Sequence, residues 1–425
     1  MRELLRWLTP GLGVKRWFGL LIVGTALIGL AFAFVLVELY QGGWLPPALQ
    51  LATLQFFSRP VRAMLLLVTG IGAIAYGFFR LNREIVAPLV PSGQSVVSLV
   101  EAHRRKGRGP RVVVIGGGTG MATLLRGIKA YTSNITAIVT VADDGGSSGR
   151  LRKSLGVIPP GDFRNCLAAL ADDEALLTQL FRYRFGGDED VGGHSFGNLF
   201  ITTMAEVTGS FEQALIEASR VLSIQGRVLP ATLQDVRLCA QMRASSYAPA
   251  VRVEGESAIP EASGWIERVY LDPERPAAYP AAVQAILAAD LIVAGPGSLY
   301  TSVIPNLLVP EIVAAVKSSA ACKVYVCNVA TQPGETDGFT VRDHVRVIEE
   351  HVGANLFPQT LANAVQKGTL PEKLHWVLPD PGANGAREIL RVDVVDADRP
   401  WRHNHERLAK ELMRALARNG PAHVF

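Results

Sequence analysis

The hydrophobic pattern changes character twice along the chain. Phe18 to Val37 is apolar throughout apart from Thr25, and Ala63 to Phe79 is a second, shorter apolar run. The first is about long enough to cross a bilayer. Together they predict a two-helix transmembrane hairpin over 1–83, joined by a loop with Trp44 and two prolines. From residue 110 the pattern is that of alternating strands and helices. The β-branched run Val112-Val113-Val114-Ile115 predicts a buried strand. Met121, Leu124, Leu125 and Ile128 then fall on one helical face, and Ile135 to Val141 reads as the next strand. Helices are expected from Phe163, over Thr178–Phe185, Leu199–Glu206, Phe211–Leu222 and Ala282–Ala289, and at the end through Ala417. Leu291–Ala294 and Lys323–Asn328 read as further buried strands. Alternating segments near 233–242, 250–255 and 265–271 predict short antiparallel strands, a β-rich insertion over 231–282. The fold class expected is therefore α/β, with a mostly parallel sheet, a small β-rich insertion and a preceding hairpin.

Charge orients the hairpin. Arg2, Arg6, Lys15 and Arg16 precede the first run, and Arg80, Arg83, Arg104, Arg105, Lys106 and Arg108 follow the second. The loop between holds only Arg59 and Arg62, so both ends are expected in the cytoplasm. The long first run, the absence of a small-residue cleavage site and the second run argue against a signal peptide. Two buried core helices are the competing reading. Residues 84–109 form a basic linker, with a short helix expected within 85–100, leaving 110–425 as the main domain. The net charge of +4 comes without a long basic run interleaved with aromatics, which gives no support for nucleic acid as a partner. Cys166, Cys239, Cys322 and Cys327 form no CxxC pair, as suits a reducing compartment, and zinc-ligand spacing is lacking.

The candidate chemistry lies where strands end. Gly116, Gly117, Gly118 and Gly120 follow the first strand and open a helix, a turn that presents backbone N–H groups to a phosphate at the positive end of the helix dipole. The dinucleotide fingerprint is incomplete, because Met121 stands at its third glycine. A tight turn without a ligand is the competing reading. Asp143 and Asp144 end the next strand, and a glycine-serine loop, Gly145-Gly146-Ser147-Ser148-Gly149-Arg150, follows. Asp162 is a candidate N-cap, with Arg164 and Asn165 in the turn after it; a structural Asp–Arg pair is the alternative. His194 and Asn198 open another helix among glycines, where a ligand contact and a structural histidine are equally open. Gly295-Pro296-Gly297-Ser298 is a second glycine turn at a strand's carboxyl end, and the two turns are expected to meet at the point where strand order reverses.

These motifs in this order, IGGGTG at 115–120, ADDGGSSGRLR at 142–152, PPGDFRNCLAAL at 159–170, HSFGN at 194–198, AGPGSLYTSVIPNLLVPEI at 294–312, CNVATQPGETDGFT at 327–340 and RHN at 402–404, resemble the gluconeogenesis factor (YvcK/GlmR) family. That family is related to the 2-phospho-L-lactate transferases of coenzyme F420 synthesis. The resemblance implies a Rossmann-like domain that binds UDP-N-acetylglucosamine and regulates, linking carbon supply and gluconeogenic growth to envelope synthesis and cell shape. It names no established reaction and no catalytic residue. Mg²⁺ is the cofactor its transferase relatives use. Members are commonly soluble, so the hairpin is a departure, and the 370–388 segment lacks the tyrosine expected near the sugar nucleotide.

Combined with the physical reading, the resemblance assigns the site. Gly117, Gly118, Thr119 and Gly120 would cradle one phosphate, and a side chain at Gly118 is expected to block its approach. Gly146, Ser147, Ser148 and Arg150 would hold the other phosphate or the sugar. Asp143 or Asp144 would accept ribose hydroxyls or hold Mg²⁺. Asp162, Arg164, Asn165, His194 and Asn198 would line the far wall. Gly295, Gly297, Ser298, Tyr300 and Asn328 would close the cleft, with Arg402 and His403 reaching it from the tail. The expected protein is a membrane-bound regulator with its main domain in the cytoplasm. Its partners would be an enzyme of amino-sugar or cell-wall precursor synthesis and further copies of itself. The alternative is a Mg²⁺-dependent transferase of a phosphate-linked group. An oxidoreductase is disfavoured by the missing third glycine.

Overall fold

The computed structural model describes residues 106–419 apart from 172–173, 188–190, 246 and 380–387, together with scattered residues within 25–39 and 58–76. The chain divides into two units, Met1–Arg105 and Lys106–Phe425. In the first unit the described residues within both apolar runs are helical, and their large side chains are exposed: Phe32, Val35, Met64, Leu67, Ile71 and Ile74 among them. Among the described residues no single helix is long and apolar enough to cross a membrane. Most of the expected span 18–37, part of the span 63–79 and the linker helix expected within 85–100 lie outside the described residues.

The second unit is built on a seven-stranded sheet. Its strands are β1 (Val112–Gly116), β2 (Ile135–Val139), β3 (Arg227–Pro230), β7 (Leu291–Ala294), β8 (Cys322–Val326), β9 (Gln359–Asn363) and β10 (Glu388–Val392). They lie in the order β10-β9-β8-β7-β1-β2-β3. Every neighbouring pair is parallel, with Val112 opposite Ile135 on one side and Leu291 on the other. A parallel sheet is covered by helices on both faces, which is why its central strands are apolar without alternation. All residues of β1, β2 and β7 are buried. The β-branched side chains that favour the extended backbone thus also fill the core. Between β3 and β7 stands an antiparallel sheet in the order β5-β4-β6, made of β4 (Arg237–Arg243), β5 (Val251–Glu254) and β6 (Trp265–Asp272). These strands fall in the three alternating segments of the sequence.

The helices are α1 (Gly118–Ile128), α2 (Gly146–Leu155), α3 (Gly161–Leu170), α4 (Glu174–Arg182), α5 (Phe196–Thr208), α6 (Phe211–Val221), α7 (Pro280–Leu287), α8 (Ile304–Leu307), α9 (Pro310–Ser318), α10 (Val341–Val352) and α11 (His405–Asn419). α1 buries Met121, Leu124, Leu125 and Ile128, as its pattern predicts. α11 buries Leu408, Ala409, Leu412, Ala415 and Leu416 on one stripe. It packs directly over α1, where Gly127 leaves no room for a side chain beside the His405 carbonyl. All four cysteines are free and buried.

Two local expectations are corrected. The segment after Asp144 is no loop: Gly146 to Arg150 form the first turn of α2. Asp162 is not an N-cap either, since α3 begins one residue earlier behind Pro160 and Asp162 lies inside its first turn.

Candidate functional site

Strand order reverses between β1 and β7, so the loops leaving their carboxyl ends diverge and open a crevice, the usual ligand position in such sheets. The two glycine turns meet there. Gly117, extended, precedes α1, and Gly118 enters it at φ +68°, a backbone that favours glycine. Its N-cap residue, Gly117, offers no side-chain cap, and the Asp162 carboxylate of α3 takes the Gly118 N–H. Thr119 and Gly120 line the crevice at the positive end of the dipole, where the remaining first-turn N–H groups have no partner within the helix. A side chain on Gly120 would put its Cβ 2.6 Å from the Pro296 carbonyl oxygen, and one on Gly297 would lie 3.3 Å from the Gly117 oxygen. The cleft between them has a volume of about 270 Å³ and is lined by Gly117 to Gly120, Thr123, Gly297, Ser298, Ser302 and residues 328–332. Leu374 and Trp401 to His403 form its outer rim.

The second turn contributes shape more than donors. Gly297 donates its N–H to Asn328 Oδ1 (3.2 Å), and Asn328 Nδ2 returns a bond to the Gly297 carbonyl (2.9 Å). Gln332 Nε2 donates to Ser298 Oγ (2.5 Å). Glu335 accepts from Tyr300 N–H (3.3 Å) and Thr301 Oγ1 (3.2 Å), and burial pushes its carboxyl up to about 7. Asn306 Nδ2 ties this segment to β1 through the Gly116 carbonyl (3.0 Å). Gly295, at φ +78°, makes the bend itself and stays outside the lining.

A second constellation surrounds the start of α2, where Ser147, Ser148, His194 and Asn198 are all buried. Ser147 Oγ lies 2.9 Å from His194 Nδ1 and 3.0 Å from Asn198 Nδ2. Arg150 donates from Nε to His194 Nε2 (3.3 Å) and from Nη2 to the Gly192 carbonyl (2.9 Å). Burial and the nearby Arg150 and Arg184 cations hold the His194 ring below its ordinary pKa.

Carboxylates stand between the two helix starts. Asp162 packs against Gly117 and accepts the Gly118 N–H. Shut off from bulk water and facing Asp143, its carboxyl is pushed up to about 7. Asp143 accepts the Gly145 N–H (2.9 Å) and is raised by burial. Glu256, from the turn after β5, faces both and is pushed up to about 8, first by burial and then by their charge. Repulsive carboxylates at the carboxyl end of a parallel sheet fit an oxygen-preferring divalent cation. Asp143 and Asp162 are the carboxylates that would hold such a cation.

Three assignments, Asp144, Tyr300 and Arg164, are corrected by this geometry, and His403 keeps its place at the cleft as an anchored ring. Asp144 turns away to accept from the backbone N–H and hydroxyl of Ser257, both at 2.9 Å, and staples the insertion to the core instead of facing a metal. Tyr300 sits in a π-helical turn, Leu299–Val303, that carries its ring into the core against Phe339 and His351. Burying that ring keeps it out of the cleft. His403 donates from Nε2 to the Cys327 carbonyl (3.1 Å), and burial lowers its ring to about 4. It is a neutral anchor that fixes Arg402, exposed, at the rim. Arg164 donates to Ser195 Oγ (2.6 Å) and to Asn165 Oδ1 (3.1 Å), bracing the helix-opening turn of α5. Its neighbours Asp143 and Asp162 make the Asp–Arg pairing partly structural, as one sequence reading had it.

Sequence reasoning missed Glu256, Glu335, Gln332, Ser302 and Trp401. Gln332 and Glu335 stood inside a quoted motif, whereas a lone Glu256 in a β-turn carries no sequence signal. Among the described residues, Cys239, Glu254 and Asp272 also bring metal-type donors together. The Arg252 guanidinium fills that place, donating to Cys239 Sγ (3.5 Å) and Asp272 Oδ2 (2.8 Å).

Comparison with known proteins agrees with this arrangement. Residues 112–419 match the family model of the 2-phospho-L-lactate transferase CofD. A Nostoc sp. protein carrying the gluconeogenesis factor name is 46% identical over 426 residues, covering 96% of this chain and 92% of its own. That alignment therefore reaches into the segment before Lys106. The gluconeogenesis factor of Bacillus subtilis is 50% identical over 258 residues, covering 61% of this chain and 80% of its own. A crystal structure of a UPF0052 family member from Bacillus halodurans superposes with a TM-score of 0.66 at 44% identity, over 72% of this chain and 99% of that one. On fold, motif order and identity across most of its length, the chain belongs to the gluconeogenesis factor family, related to the CofD transferases.

Proposed function

We propose that this protein is a membrane-anchored regulator that binds a UDP-sugar, UDP-N-acetylglucosamine, and links carbon supply to cell-envelope synthesis and cell shape by contacting a partner enzyme. The observation that supports it most is the convergence of the α1 start with the Gly295–Gly297 turn on one cleft, beside a second glycine-capped helix start at α2. Two helix starts with a carboxylate pair between them suit a diphosphate. Thr119 and Gly120 would receive one phosphate, with Gly118 letting it approach closely, and Ser147, Ser148 and Arg150 the other. Arg402 at the rim would meet the sugar or the base. Bound Mg²⁺, held by Asp143 and Asp162, would offset the charge of the diphosphate. Calorimetry on the full chain is expected to give UDP-N-acetylglucosamine binding with no product in the recovered ligand. A product would move the protein to the second reading, a Mg²⁺-dependent transferase of a phosphate-linked group, which the Asp143–Asp162 pair favours.

The anchor reading rests on the exposed, helical apolar residues of the first unit, whose burial in lipid would remove them from water. The main domain would then face the cytoplasm, as self-associated copies docked to an enzyme of amino-sugar or cell-wall precursor synthesis. After alkaline carbonate extraction of membranes the chain is expected to stay in the pellet; release into the supernatant would remove the anchor.

A further inference from the structure

We propose that His194 is a positioning residue: a neutral ring held in its Nδ1–H form by Arg150, it makes the Ser147–Asn198 pair present a surplus hydrogen-bond donor to an anionic oxygen of the ligand at the start of α2. The inference rests on the anion-binding reading of that helix start and says how its selectivity is built.

The direction of the hydrogen bonds carries it. An arginine side chain only donates. Arg150 Nε–H points at His194 Nε2 (3.3 Å), so that nitrogen accepts and is bare. A neutral ring then keeps its one proton on Nδ1, which donates to Ser147 Oγ (2.9 Å). With the serine oxygen engaged as acceptor, its own hydrogen must go elsewhere. Asn198 is the other group on that oxygen, through Nδ2 at 3.0 Å, and the same Nδ2 lies 3.4 Å from Ser148 Oγ. In this orientation Ser147 accepts twice and its hydroxyl hydrogen is left over, while the buried Asn198 Oδ1 has no partner. If the amide is turned about, Ser147 donates to Oδ1 and an Nδ2 hydrogen is left over instead. Turning the amide would shut the surplus donor away where Oδ1 is now buried, so it is the present orientation, with the hydrogen on the Ser147 hydroxyl, that offers it to a ligand. The one-way chain from Arg150 through His194 and Ser147 to Asn198 therefore ends in a donor lacking an acceptor. An unpaired buried donor is costly. A ligand oxygen bearing negative charge supplies the acceptor, at the end of a helix whose dipole favours the same charge.

This excludes two other roles for His194. It cannot serve Ser147 as a base, since the nitrogen facing the hydroxyl already carries the proton. Nor is it a charged anion holder, because a second proton on Nε2 would confront the Arg150 N–H.

The test reads the ring directly. Long-range nitrogen–proton NMR of the ligand-free, histidine-labelled full chain, with His194 assigned by substitution, is expected to show Nδ1 protonated and Nε2 bare at neutral pH. A ring protonated on Nε2, or on both nitrogens, overturns the proposal. The second arm is calorimetry with UDP-N-acetylglucosamine and with inorganic diphosphate. His194→Ala and His194→Gln, which cannot donate from the Nδ1 position, are expected to weaken binding about tenfold to a hundredfold. His194→Asn places an amide N–H at that position and is expected to recover part of the loss. Equal losses in the Gln and Asn variants would mean the ring is merely structural. Because the ring is read without ligand, a wild-type chain that ignores the nucleotide sugar would remove the functional reading above while the tautomer still decides this one.

Discussion

Gly120→Val is expected to abolish nucleotide-sugar binding and to cost about 3–5 kcal/mol of stability. Its Cβ would lie 2.6 Å from the Pro296 oxygen, 2.9 Å from the Pro296 carbonyl carbon and 3.2 Å from Gly297 Cα. Those are backbone atoms, and the turn that carries them is braced by Asn328, Gln332, Glu335 and Asn306. Neither wall can yield, so the two turns must part and the cleft between them is lost. Gly118→Ala is the informative contrast. Only Ser302 Oγ, at 3.7 Å, comes near its Cβ, and the cost is the strain of φ +68°, about 1–2 kcal/mol. The contact between the two turns is made at Gly120, whereas Gly118 leaves open the space in which a ligand would approach. Thermal melts with calorimetry on both variants check this, and a folded Gly120→Val chain of undiminished affinity would take the β1–β7 junction out of the binding site.

Mg²⁺ is expected to raise the melting temperature clearly at pH 8 and little at pH 5. Asp162 holds its proton to about 7 and Glu256 to about 8, against ordinary values of 3.8 and 4.5. The folded state thus keeps protons that the unfolded chain has released. Their contribution to stability is present below the ordinary values and is lost as pH rises through about 7 to 8. With about 1.4 kcal/mol per pKa unit, and titrations shared among coupled carboxylates, the loss amounts to a few kcal/mol. A divalent cation on the ionised pair would restore that loss, which is why the effect is expected to depend on pH. Asp162→Asn should flatten the decline and erase most of the Mg²⁺ effect. Melts at the two pH values, with and without Mg²⁺, measure it; an unaltered Mg²⁺ effect in Asp162→Asn would assign the ion elsewhere.

The repeating strand–turn–helix order was legible because parallel strands are buried on both faces. Val112 to Ile115 and Leu291 to Ala294 could be little else than inner strands, and their glycine turns had to emerge at one edge of the sheet. The insertion was legible from its alternation. β3, β9 and β10 were not singled out, since polar residues or proline break their apolar runs: Arg227 and Pro230 bound β3, Gln359 and Asn363 bound β9, and β10 mixes exposed and half-buried positions. The start of α2 looked like a loop because Gly146-Ser147-Ser148-Gly149 has weak helix propensity, and packing outweighed it.

The sequence by itself determined the α/β class, the glycine turns and the set of polar residues beside them, since burial periodicity and turn chemistry are local properties. Only the tertiary structure decided which of those residues face one another. It turned Asp144 towards Ser257 and Asp162 towards Gly117, put the Tyr300 ring in the core, and brought Glu256 from the insertion to the carboxylates. Side-chain direction at a loop or helix start depends on what packs against it from distant parts of the chain, and no spacing within one segment encodes that.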